Sequence, residues 1–145
     1  MADNPIAILH RLRASSGPKE TIGLSDDVIE DFCKTDPELI QAIHEAGQVH
    51  HTLLKEFGQD IMALPEAKLI EHLQSDYVNF YSAATVNPYI PIAGRGPWLV
   101  TASGSVLHDN GGYGMLGSGH GPSSVIDAMS ENWVMANVMT PSFSQ

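Results

Sequence analysis

Along the first eighty positions the apolar side chains recur every three or four residues, the spacing that lines up one face of an α-helix. Ser25 reads as an N-cap, with Asp26 and Asp27 set against the positive end of the helix dipole and Val28, Ile29 and Phe32 on the apolar side of a short helix. Asp36 caps a second helix, with Pro37 at its first position, where a missing N–H costs nothing. Leu39, Ile40, Ile43, Leu53, Leu54 and Phe57 then keep helical spacing until Gly58, which predicts about five turns. Pro65 opens a third helix, in which Leu69, Ile70, Leu73 and Tyr77 share a face. All three need a surface to pack against.

The pattern changes near residue 82. Trp98 to Thr101 is a β-prone run, Ser103 and Gly104 supply a turn, and Ser105, Val106 and Leu107 resume the run, so WLVTASGSVLHD predicts a β-hairpin that ends at Asp109, Asn110, Gly111 and Gly112. The stretch GGYGMLGSGHGP follows. Pro122 then begins a helix with Val125, Ile126, Met129 and Trp133 on one face. The expected fold class is α+β, with N-terminal helices (1–82) followed by a glycine-rich hairpin or small antiparallel sheet and a helix (83–145).

Composition sharpens that boundary. Of 17 Asp and Glu residues, 14 fall in positions 1–80, whereas nine of 13 glycines lie between Gly94 and Gly121. The 145 residues are 43% hydrophobic and 17% charged, enough apolar surface for one compact core. A formal net charge of −10 with seven scattered basic residues excludes a phosphate-tracking surface, so nucleic acid and anionic membranes are not expected partners. No apolar run approaches the roughly 20 residues that span a bilayer. In MADNPIAILHRLRASSG the apolar patch precedes Arg11 and Arg13, the wrong order for a secretory signal, and a cytoplasmic location is expected. The single cysteine, Cys33, has no internal disulfide partner and is expected to be a packed thiol.

Two pieces of candidate chemistry fail on spacing. HEAGQVHH places His44 six and seven residues before His50 and His51, whereas a helical zinc pair needs an i, i+4 separation, so His44, His50, His51 and His72 read as a solvated or packed face. Gly112, Gly114 and Gly117 match GxGxxG, but the preceding strand belongs to a hairpin and the helix starts after the motif, unlike a dinucleotide site.

The ordered run NPYIPIAGRGPWLVTASGSVLHDNGGYGMLGSGHGPSSVIDAM, within residues 85–145, resembles the opening of class III pyridoxal-phosphate-dependent aminotransferases: an Asn-Pro entry, a hairpin ending in Asp, a Gly-Gly segment, a Gly-His pair and a helix. That resemblance implies the N-terminal part of the small domain of a fold type I enzyme, near an active site built at a homodimer interface. By the same resemblance Tyr113 would lie against the substrate, with Gly112 and Gly114 letting the backbone approach it. Thr140 and Ser142 would approach the partner subunit's cofactor. Gly119 and His120 match the Gly-His pair, for which a structural role is expected, the imidazole bonding the turn before the helix. Asp109 matches the acidic residue at the hairpin's end, with one residue fewer before the Gly-His pair than in the family pattern.

The parent reaction implied is transfer of an amino group from an amino acid or amine to a 2-oxo acid. It needs a Schiff-base lysine, a carboxylate on the pyridinium nitrogen and phosphate donors. The family places all three downstream, and Lys19, Lys34, Lys55 and Lys68 precede the matched region. The chain by itself is therefore expected to be inactive and to hold no covalent cofactor. Two other readings remain: a non-catalytic acidic interaction module, and an independent enzyme using His108 or His120 with Asp109. The last has only adjacency in its favour, since neighbours on a strand face opposite ways.

Overall fold

The computed structural model describes residues 4–76, 88–109 and 117–131. Among them the chain is α+β, with six helices and one three-stranded antiparallel sheet. The helices are α1 (Pro5–Ser15), α2 (Asp26–Cys33), α3 (Pro37–Phe57), α4 (Gln59–Met62), α5 (Glu66–Gln74) and α6 (Ser123–Met129). The strands are β1 (Pro91–Arg95), β2 (Trp98–Thr101) and β3 (Val106–His108), in spatial order β1-β2-β3.

The second helix read from the sequence is α3, and Asp36 caps it as expected, its Oδ1 accepting from the amides of Glu38 at 3.0 Å and Leu39 at 3.3 Å. Ser25 holds the N-cap position of α2 without a side-chain cap bond. The hairpin pairs Trp98 with His108, Leu99 with Leu107 and Val100 with Val106. Alternation then sends Trp98 and Val100 inward, and Val106 joins them; all three are buried.

Three elements were not anticipated: the single turn α4, helix α1 and strand β1. Asn4 caps α1, accepting from the Ile6 amide at 2.9 Å, with Pro5 at its first turn. Strand β1 pairs with β2 through an irregularity between Pro91 and Ala93. Proline and glycine in PIAGR conceal a strand from propensity, and the proline opens an edge strand, where its missing donor is harmless.

One core draws on both halves of the chain. Ile6, Ile8, Leu9 and Leu12 of α1, Ile29 of α2, Leu39, Ala42, Ile43 and Ala46 of α3, and Trp98, Val100 and Val106 of the sheet form a single buried cluster. In α3 the buried face is carried by small residues as much as large ones. Leu53 and Leu54 instead border a second cluster around Met62, Leu69 and Ala102. Gly47 lets α1 approach: a Cβ there would lie 2.8 Å from Ile8 Cγ2.

A polar seam runs beside the clusters, which Ile92 joins. The Glu66 carboxylate, 5% exposed, accepts from the amides of Glu20 at 2.6 Å and Thr21 at 2.7 Å and from the Ser103 hydroxyl at 3.1 Å. Ser103 and Thr101 share a bond of 3.0 Å, and the Ser105 hydroxyl donates to the Thr21 carbonyl at 2.5 Å. The seam fixes residues 20–21 against the hairpin turn, and no described buried side-chain polar atom lacks a partner.

Candidate functional site

The residues that the resemblance marks for substrate and cofactor, Gly112, Tyr113, Gly114, Thr140 and Ser142, lie outside the described residues. Trp133 and Tyr77 do as well. What is described is the base from which the glycine-rich segment 110–116 departs and to which it returns.

That base is pinned at both ends to the β1–β2 turn. On the departing side, the Asp109 amide donates to the Pro97 carbonyl at 2.7 Å. On the returning side, His120 and Gly96 form an isolated antiparallel bridge, with N–H to O distances of 2.7 and 3.0 Å. The His120 Nε2 then meets Asp109 Oδ2 at 2.9 Å, joining the two ends directly. This pairing departs from the sequence reading of His120: its imidazole bonds the hairpin-end carboxylate, and its backbone holds the turn. No local spacing signals a contact across eleven residues whose middle is glycine-rich.

Glycine makes the close approach possible at two points. Gly119 has φ +72°, and a Cβ on it would lie 2.7 Å from Gly96 Cα; Gly96 itself has φ +49°. A third tie comes from Arg95, which the sequence reading did not single out. Its Nε and Nη2 make a forked contact with the Glu45 carboxylate at 2.7–3.1 Å, and its Nη1 donates to the Gly121 carbonyl at 2.6 Å. The Arg95 guanidinium holds the Glu45 carboxyl below its ordinary range, so the pair is ionised at neutral pH. Helix α3 thus fixes β1 and the turn before α6 together.

His108 does not join this group. Its ring packs edge-on against Trp98, with centroids 4.7 Å apart, while Phe32 covers another side of the same indole at 4.9 Å. Trp98 Nε1 donates to Asp36 Oδ2 at 2.8 Å. Beyond Pro122, α6 has no buried residue, and Val125, Ile126 and Met129 are exposed.

The four lysines sit on or near the helices. Lys34 and Lys68 are exposed and paired to Asp31 and Glu71, Lys19 donates to the Ile22 carbonyl, and Lys55 lies on an exposed part of α3. Among the described residues, no group of three or more His, Cys, Asp or Glu is placed to hold a metal ion, and no helix is long and apolar enough to cross a membrane. Cys33 is half-buried, and burial pushes its thiol above the ordinary value.

The architecture is therefore that of an α+β unit carrying a clamped glycine-rich segment. Comparison with protein-family models, curated proteins and solved structures finds no match for the chain.

Proposed function

We propose that the chain is the N-terminal portion of a class III pyridoxal-phosphate-dependent aminotransferase, in which residues 110–116 form one wall of a substrate pocket. The ordered series from Asn87 through the Gly-His pair to the helix after Pro122 carries the reading. The clamp agrees with it: a segment that lines a pocket must leave and re-enter a fixed base, and Asp109, His120 and Gly96 make one. The exposed apolar face of α6 agrees as well, as a surface for a larger domain or a second subunit.

In this reading Tyr113 contacts the substrate, Gly112 and Gly114 give the backbone room, and Thr140 and Ser142 reach the cofactor of the homodimer partner. The amino donor and the 2-oxo acid are small molecules handled in the cytoplasm. Pyridoxal phosphate supplies the electron sink when bound, through residues C-terminal to those seen here. No chemical step is assigned to the described residues.

A second reading, an acidic interaction module, is favoured by the core that helices and sheet build together. The two separate at the gene. Sequencing the intact reading frame past the codon for Gln145 should find a Ser-Gly-Ser-type phosphate loop and, far downstream, a lysine. A stop codon directly after Gln145 in the intact gene overturns the aminotransferase reading and leaves the module.

A further inference from the structure

An open cleft of about 610 Å³ lies between α1 and α3, and none of the residues that clamp the glycine-rich segment lines it. Two stripes at helical spacing face each other across it: Ile8, Arg11, Leu12 and Ser15 on α1, and His44, Gly47, Gln48, His51 and Leu54 on α3. The volume lies within the range of small-ligand sites. Gly47 sets its floor, because the absent side chain lets Ile8 seat directly against α3.

The lining has a character unlike the rest of the molecule. Among the described residues, three of the seven histidines border the cleft and no carboxylate does, in a chain with 17 Asp and Glu residues. His44 and His51 stand two turns apart on one face with the Gln48 amide between them, offering N–H donors above an apolar wall of Ile8, Leu12 and Leu54. His50 is buried behind them and faces Ser16, 3.4 Å away. Arg11 already has an interaction of its own, so the donors that matter are the two imidazoles and the amide.

We propose that this cleft binds a small organic anion, a carboxylate or phosphate monoester on an apolar body, with the head group against His44, Gln48 and His51 and the body against Ile8, Leu12 and Leu54. An anionic head is the partner that these donors select, because nothing in the lining repels it and an imidazole gains a charge-assisted bond beside it. A cation meets no acceptor carboxylate among the described lining residues.

The test is a titration of the isotope-labelled 145-residue chain with phenyl phosphate and with benzoate, followed by NMR at one fixed pH. Inorganic phosphate and phenol serve as head-only and body-only controls. We expect saturable shifts centred on the His44 and His51 rings and the Ile8 and Leu54 methyls, with at least one probe binding about tenfold tighter than either control. The tighter of the two probes identifies the head group. His44→Gln/His51→Gln should weaken binding about tenfold, and Gln48→Trp, at an exposed position, should block it with the fold intact. Shifts spread evenly over all seven histidines, absence of saturation, or full binding by Gln48→Trp overturns the proposal.

Discussion

Asp109 and His120 face each other at 2.9 Å across the mouth of a glycine-rich segment, so one side-chain bond fixes the distance between its two ends. Both side chains are partly exposed, at 28% and 37%, which limits the contribution of the bond to about 1 kcal/mol or less. His120→Ala should therefore leave the fold intact. Its effect should be local, with faster hydrogen exchange at the Gly96 and His120 amides that pair beside it. Unchanged exchange at both amides would mean that the backbone bridge alone carries the clamp.

Glu66 should govern stability in acid. Burial acts to raise its carboxyl, but the amides of Thr21 and Glu20 and the Ser103 hydroxyl outweigh it and hold the group below its ordinary value. The unfolded chain then takes up the proton first. The stability this group contributes is complete above the ordinary glutamate value of about 4.3 and is lost as pH falls through the folded one. Glu66→Gln should cost about 1.5–3 kcal/mol at neutral pH and lessen the loss below about pH 4.5, read by urea melts across pH.

His50 should act earlier on the same descent. Burial, and then the neighbouring His51, push its imidazole below the ordinary value. The unfolded chain again binds the proton more readily, so stability declines from about pH 6.5 downward. His50→Phe removes that titration and should flatten the melting temperature between about pH 6.5 and 5 while leaving the carboxylate-dependent fall below it. A profile identical to that of the native chain would count against a buried, neutral His50.

Asp36 serves two elements with one carboxylate, capping α3 through Oδ1 and holding the Trp98 indole through Oδ2. Asp36→Ala removes a cap, at about 1 kcal/mol, and strands a buried N–H, at about 1–3 kcal/mol. We expect a total near 2–4 kcal/mol by chemical denaturation. A loss of about 1 kcal/mol or less would show that the indole finds another partner.

How much of this was legible depended on whether a residue acts locally. Asp36 and Pro37 announced α3, and two β-prone runs joined by Ser103 and Gly104 announced the hairpin, because caps, strand preference and turns are properties of neighbours. Asn4 followed by Pro5 carried the same kind of signal for α1 and was passed over beside the charge pattern of the terminus. Strand β1 was hidden for a different reason: Pro91 and Gly94 have little strand preference, and pairing to β2 with α3 across it decides their conformation. The partners of His120, Arg95 and Glu66 were beyond reach, since each bond joins residues 11 to 50 positions apart. Ala42 and Ala46 were missed as core because a search for large apolar side chains overlooks the small ones that let helices approach.

The most direct test of the account compares the full product of the gene, which the proposal extends beyond Gln145, with the 145-residue chain, both expressed in the presence of pyridoxal phosphate and dialysed. The account predicts that the longer protein retains a lysine-linked chromophore that an amino donor bleaches, with Tyr113→Phe altering the donor concentration required, and that the 145-residue chain retains none. A dialysis-stable, lysine-linked cofactor on the 145-residue chain, or none on the longer protein, contradicts it.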